Sequence, residues 1–256
     1  MEDISDHQLE ELDHLNQLKD NFLSTVSHEL RSPITNIKMA TQMLKLLVQK
    51  DENREKAKVD HYLMILEQEC DREINLLNSF LALQQLDAGN YSMSQTPIHL
   101  QKVIPQMIEP FLQRIANQQQ TLQLEIAANL SVLTVDRNCL EQILSELLTN
   151  ACKFTPTGEA IAVMLAWKWP STQSPKIFQL KVTNSGVEIP VSEYARIFDR
   201  FYRVANGDRW KYKGTGLGLT LVKKLTEHLG GTIWVESGDG HTCFIVEIPV
   251  NNSAFI

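Results

Sequence analysis

The sequence predicts an α + α/β chain, with an N-terminal helical hairpin followed by an α/β sandwich. Three features point there. Residues 1 to 87 hold one proline, Pro33, and no glycine, and their apolar residues recur at three- and four-residue steps. The stretch DAGNYSMSQTP, from Asp87 to Pro97, has the composition of a turn or linker. Beyond it, helical spacings are interspersed with short strand-like runs.

Leu9, Leu12, Leu15, Leu18 and Phe22 begin the first helix, and a heptad then runs through Leu23, Val26, Leu30, Pro33, Ile37, Ala40, Leu44 and Leu47. The polar run QKDENREKAK interrupts it. A second helix carries Leu63, Leu66, Cys70, Ile74, Leu77 and Leu81. Two such helices enclose too little core alone, so the hairpin is expected to form a homodimer by completing a four-helix bundle with a second copy. The domain plan is residues 1–89 for the hairpin, 90–97 for a linker and 98–256 for the sandwich. In the sandwich, helices are expected over 101–117, 138–154 and 216–229, and strands over 122–126, 132–135, 160–168, 177–184, 232–236 and 242–249. Such an order suggests helices on one face of a mixed sheet.

A net charge of −7 argues against nucleic-acid binding, which relies on a basic face. Cys70, Cys139, Cys152 and Cys243 are far apart and match no metal or redox spacing, so they read as reduced structural thiols. No apolar run reaches the roughly 18 residues of a membrane span, and the acidic start MEDISDHQLEELDHL is unlike a signal peptide. The expectation is a cytoplasmic segment without membrane contact.

The residues FLSTVSHELRSP, 22 to 33, sit inside the heptad. With Leu30 and Pro33 at positions a and d, His28 falls at f and Ser32 at c, one turn apart on the outer face. Glu29 falls at g, where its carboxylate can accept one imidazole proton and make the other ring nitrogen a better nucleophile. Pro33 removes a backbone donor and should loosen the helix one turn later. This string resembles the H-box of the HisKA-type dimerisation and phosphoacceptor domain of sensor histidine kinases. The resemblance implies phosphorylation on His28 and a general base at Glu29. Ser32 stands where the family usually has Thr or Asn, a position linked to dephosphorylation of the partner.

Further on, Leu140, Ile143, Leu144, Leu147, Leu148 and Ala151 form one stripe of a helix, and Glu146, Asn150 and Lys153 share the opposite face. An amide oxygen suits Mg2+ and an ammonium pairs with phosphate. The string SELLTNACKFT resembles the N-box of the GHKL ATPases, which implies that this face binds nucleotide, with Asn150 on Mg2+ and Lys153 on phosphate. The segment VTNSGVEIP, 182 to 190, resembles the family's G1 box, D-x-G-x-G, with Gly186 and Ile189 in the base-binding turn. Asn184 replaces the Asp that accepts the adenine amino group, and Glu188 replaces the second glycine. An Asn carbonyl still accepts that bond.

The segment RIFDRFYR, 196 to 203, resembles the F-box, and KGTGLGL, 213 to 219, the G2 box. Gly214, Gly216, Leu217 and Gly218 open a helix whose free N–H groups are suited to phosphate oxygens. Residues 191 to 213, with Arg200, Arg203, Arg209, Lys211 and Lys213, read as a lid, and Arg203 is the expected phosphate contact. The closing run GHTCFIVEIP resembles the family's last strand, with Thr242 near the adenine. Together these boxes imply a Bergerat-type ATP-binding domain and a protein-histidine kinase using ATP and Mg2+. They also imply a response-regulator receiver domain as partner and a sensor domain that this sequence lacks. Two alternatives stay open: a catalytically weak dimeric scaffold, turning on Asn184 and Glu188, or mainly a response-regulator phosphatase, turning on Ser32.

Overall fold

The structure, a computed structural model, describes residues 31, 33–47, 56–169, 176–204 and 215–250. The chain divides into two units, Met1–Leu81 and Ala82–Ile256. His28, Glu29, Ser32 and Gly214 lie outside the described residues, as do the predicted helix before residue 31 and the lid residues Arg209, Lys211 and Lys213.

The first unit is helical. Helix α1 spans residues 33–47, and α2 spans Lys56–Asp87, continuing into the second unit. Pro33 and Ala40, one heptad apart, are both buried. Asn36 donates from Nδ2 to Glu69 Oε1 at 2.6 Å, joining the two helices. The predicted second stripe faces outward within this one chain: Leu63, Cys70, Ile74, Leu77 and Leu81 are exposed and Leu66 is half-buried. Leu76, Ser79, Ala82 and Leu83 are the described residues of α2 that are buried. A helix in a four-helix bundle has to cover more than one neighbour, and a single hairpin supplies only one.

The second unit is an α/β sandwich. Strand β1 (Gln95–His99) leads into α3 (Leu100–Asn117), β2 (Thr121–Ile126) and β3 (Val132–Asp136). Then come α4 (Arg137–Phe154), β4 (Ala160–Lys168), β5 (Lys176–Ser185), α5 (Gly218–His228), β6 (Thr232–Gly238) and β7 (His241–Val250). Short 3-10 turns fill Val191–Glu193 and Arg196–Phe198. The main sheet has the order β2-β4-β5-β7-β6, with β2 parallel to β4 and the remaining pairs antiparallel. Alternate residues of its strands are buried under the helices, including Ile161, Val163 and Leu165 on β4 and Phe178, Leu180 and Val182 on β5. The α4 stripe fills the space opposite, and Leu140, Ile143, Leu144, Leu147 and Leu148 are wholly inaccessible.

The segment read as a linker contributes a strand. Residues Gln95–His99 pair antiparallel with β3, although the turn-like composition up to Pro97 reads as a linker. β1 has a neighbour on one side only, and an edge position tolerates a missing N–H. Upstream, Asp136 fastens the linker to the start of α4. Its Oδ2 accepts the Ser94 N–H at 2.6 Å and its Oδ1 accepts the Cys139 N–H at 3.0 Å, so one carboxylate also caps the helix. At the other end of α4, buried Gln120 donates from Nε2 to the carbonyls of Cys152 at 3.2 Å and Thr155 at 2.5 Å.

Candidate nucleotide site

Helix α4 sets the site. Its apolar stripe fixes which way it faces, and Glu146, Asn150 and Lys153 are left half-buried on the other side. Among the described residues the Asn150 amide makes no side-chain hydrogen bond. Lys153 Nζ lies 4.6 Å from the centre of the Phe154 ring.

Two glycine turns pack near this helix, one just past its C-terminal end and one against its middle. At its C-terminal end, Gly186 has φ +80°, and a Cβ there would fall 2.8 Å from Pro156 Cδ and 3.1 Å from Glu159 Cγ. The turn after β5 therefore needs glycine for its backbone angle and for its close approach. The Gly186 N–H reaches the Gly240 carbonyl at 2.7 Å. More than two turns earlier on α4, Glu146 meets the start of α5: its Oε2 lies 2.5 Å from where a Gly218 Cβ would stand. A carboxylate at a helix N-terminus is favoured by the exposed N–H groups. The predicted helix from 216 begins two residues later, at Gly218. Gly216 has φ +70° and is no helical residue; a Cβ there would lie 2.7 Å from the Phe201 backbone. Phe201 N–H donates to the Gly216 carbonyl at 3.0 Å, so the RIFDRFYR and KGTGLGL segments are bound to each other. Leu217 is 1% exposed and acts as an anchor, leaving backbone rather than its side chain for a ligand.

Two of the residues expected to face the base sit on the sheet. Asn184 and Thr242 are register partners on β5 and β7 and are 4% and 1% exposed. Asn184 makes no side-chain hydrogen bond among the described residues. Glu188 is exposed and accepts the Gly240 N–H at 2.5 Å, so its carboxylate turns to the β6–β7 hairpin. The Thr242 hydroxyl donates to the Val187 carbonyl at 2.8 Å and lies 2.8 Å from Ser237 Oγ. Ile189 donates its N–H to the same Ser237 Oγ at 2.9 Å. Tyr194 adds a second clamp, donating its hydroxyl to the Ser237 carbonyl and accepting the Ser237 N–H, both at 2.8 Å. Ser237 and Tyr194 were not legible in the sequence, because their role depends on a hairpin more than forty residues away.

On the lid side, Arg203 is exposed, Arg200 pairs with Asp87, and Arg196 lies 4.3 Å over the Tyr202 ring. The Tyr202 hydroxyl donates to Glu193, which raises its pKa. No group of three or more His, Cys, Asp or Glu side chains among the described residues is arranged to hold a metal. No helix among them is long and apolar enough to cross a membrane.

Comparisons with known proteins agree with this geometry. Residues 18–89 match the His Kinase A (phospho-acceptor) domain, and residues 135–252 match the histidine kinase-, DNA gyrase B- and HSP90-like ATPase domain. The chain is 35% identical to the circadian input-output histidine kinase CikA of Synechococcus elongatus over 91% of its own length and 30% of that protein's. It is 28% identical to the sensor histidine kinase WalK of Bacillus subtilis, covering 91% of this chain and 37% of that one. The chain thus spans about a third of the curated relatives it matches. Among solved structures it resembles full-length ShkA in complex with AMPPNP, with TM-score 0.63, 25% identity, and coverage of 91% of this chain and 46% of that one. The catalytic domain of histidine kinase ThkA matches with TM-score 0.53 and 27% identity, over 62% of this chain and 97% of that domain. The chain belongs to the histidine kinase family and carries its phospho-acceptor and ATPase domains in that order.

Proposed function

We propose that the chain is the core of a sensor histidine kinase that phosphorylates itself on His28 from Mg2+·ATP and passes the phosphoryl group to a response-regulator Asp. The observation that carries the reading is the approach of the Gly218 turn to Glu146 on the polar face of α4, with the Gly186 turn packed just past the end of that helix and following Asn184, whose amide no described residue engages. The amide head is not among the polar atoms sealed from solvent without a partner, so it stays within reach of a polar ligand. The ShkA structure that this fold resembles holds AMPPNP.

In this reading Asn184 and the Gly186–Ile189 turn hold the base, and the N–H groups at the start of α5, with those of Gly216 and Gly214, hold phosphates. Lys153 and Arg203 add positive charge. The residues present fit Mg2+: it binds readily to one or two protein oxygens while keeping waters and phosphate, and Asn150 offers a free amide oxygen without an all-protein cage. Mg2+ supplies charge neutralisation on the triphosphate. Glu146, on α4 beside the start of α5, would orient that helix toward the phosphates.

The transfer is in line. The His28 ring nitrogen forms a bond to the γ-phosphorus as the bond to the β,γ-bridging oxygen breaks, ADP leaves, and Glu29 accepts the proton of the other ring nitrogen. In the second step the N–P bond breaks as an Asp oxygen of the receiver domain takes the phosphoryl group. The ThkA complex with the response regulator TrrA, a structure with the same fold, is the precedent for such docking. The outward stripe Leu63, Ile74, Leu77 and Leu81 favours a homodimer.

A weak-scaffold reading draws on Glu188 and Asn184. The contact of Glu188 with Gly240 turns that carboxylate away from the base site, and Asn184 keeps an acceptor, so kinase activity is the better reading. Incubation with γ-labelled ATP and Mg2+ tests it: acid-labile label mapping to His28 and lost in His28→Gln is expected. Label on another residue, or none on a folded wild type, would overturn it.

A further inference from the structure

We infer that Asn184 opens the base site to guanine as well as adenine, so that this chain accepts both purine nucleoside triphosphates. The inference rests on the proposed nucleotide site and deepens it.

Asn184 is 96% buried, lies between Ile161 and Thr242 in the sheet, and engages no described residue through its side chain. The nearby hydroxyls are already committed. Thr242 spends its proton on the Val187 carbonyl, Ser237 Oγ accepts the Ile189 N–H, and Tyr194 both donates to and accepts from the Ser237 backbone. Of these four side chains, Asn184 alone has a donor as well as an acceptor free to read a base.

The chemistry of that group sets the selectivity. On its Watson–Crick edge adenine presents a donor, N6–H, beside an acceptor, N1. Guanine presents an acceptor at O6 beside donors at N1–H and N2–H. A carboxylate only accepts, so it pairs with the adenine amino group and, with guanine seated in the same pose, sets lone pair against lone pair at O6. A primary amide carries one acceptor and one donor on the same planar head. Rotation by half a turn about its last torsion exchanges the two without changing its shape. Asn184 therefore matches either base, and the electrostatic penalty that a carboxylate imposes on guanine is absent.

The test is calorimetric titration of the whole chain with the Mg2+ complexes of the β,γ-imido analogues of ATP and GTP, for wild type, Asn184→Asp and Asn184→Leu, with unfolding midpoints as controls. Wild type should bind the two analogues within about tenfold of each other, and Asn184→Asp should shift the ratio toward ATP by about tenfold or more, the scale of one bidentate base contact. Asn184→Leu should weaken both. Wild type that binds ATP and rejects GTP by more than about a hundredfold would overturn the inference while leaving the nucleotide site in place. An unchanged ratio in a folded Asn184→Asp would also overturn it, by removing Asn184 from the base contact. If folded wild type binds neither analogue, the proposed site and this inference fall together.

Discussion

Glu188 Oε1 accepts the Gly240 N–H at 2.5 Å, and one residue pair away the Gly186 N–H donates to the Gly240 carbonyl at 2.7 Å. The two bonds join the turn after β5 to the tip of the β6–β7 hairpin. A glutamate where the family has glycine thus acts as a strut on the hairpin side. Glu188→Gly should leave affinity for Mg2+·ATP unchanged and lower unfolding free energy by about 0.5–1 kcal/mol, the scale of one solvent-accessible hydrogen bond. Urea titration and calorimetry measure both, and a rise in affinity on mutation would place Glu188 in the pocket after all.

Gly186→Ala should be far more damaging. At φ +80° with Pro156 Cδ 2.8 Å from the new methyl carbon, the turn must deform. We predict a loss of about 1–3 kcal/mol in stability and a severe loss of nucleotide affinity. Affinity equal to wild type would show that the turn does not hold the base.

The exposed stripe of α2 makes a prediction about assembly. Leu77 is 51% exposed in one chain, so Leu77→Glu costs the isolated hairpin little but sets charge against charge between two copies. Light scattering should give a dimer for wild type and a monomer for the variant. Two monomers, or two dimers, would contradict the four-helix bundle.

Burial works against ionisation of Asp136, but the N–H groups of Ser94, Cys139 and Asn138 outweigh it and hold the carboxyl below the ordinary 3.8. A depressed folded-state pKa means that the stabilisation is present above that ordinary value and is lost as pH falls through the folded one. Asp136→Asn should therefore be less stable than wild type by about 1–2 kcal/mol at pH 7, through a lost charged acceptor at the cap. Unfolding curves taken from pH 7 down to about pH 3 should show the gap closing below about pH 4. A gap independent of pH would mean that the charge contributes nothing.

Much of this was legible in the sequence because helix periodicity is a strong signal. The stripe from Leu140 to Ala151 fixed the orientation of α4, and with it the side on which Glu146, Asn150 and Lys153 appear. Glycines marked the two turns, although the reason for Gly216 emerged only from its backbone lying against Phe201. Strand β1 was hidden by the turn-like composition up to Pro97, a residue whose cost depends on an edge position that a linear pattern does not reveal. The apolar stripe of α2 was visible, but its outward direction depends on the placement of α1. The side chains of Ser237 and Tyr194 carried no signal, since hydroxyls become informative only when their partners across the fold are known.

The most direct test of the whole account is the initial rate of acid-labile labelling from γ-labelled ATP in Asn150→Ala against wild type, with unfolding midpoints measured in parallel. The Asn150 side chain makes no hydrogen bond among the described residues, so the variant should fold as wild type does. The account predicts labelling at least about a hundredfold slower, the loss expected when a group that positions transferring phosphate is removed. Labelling at the wild-type rate would contradict it, because the α4 face could then not be where Mg2+·ATP is held.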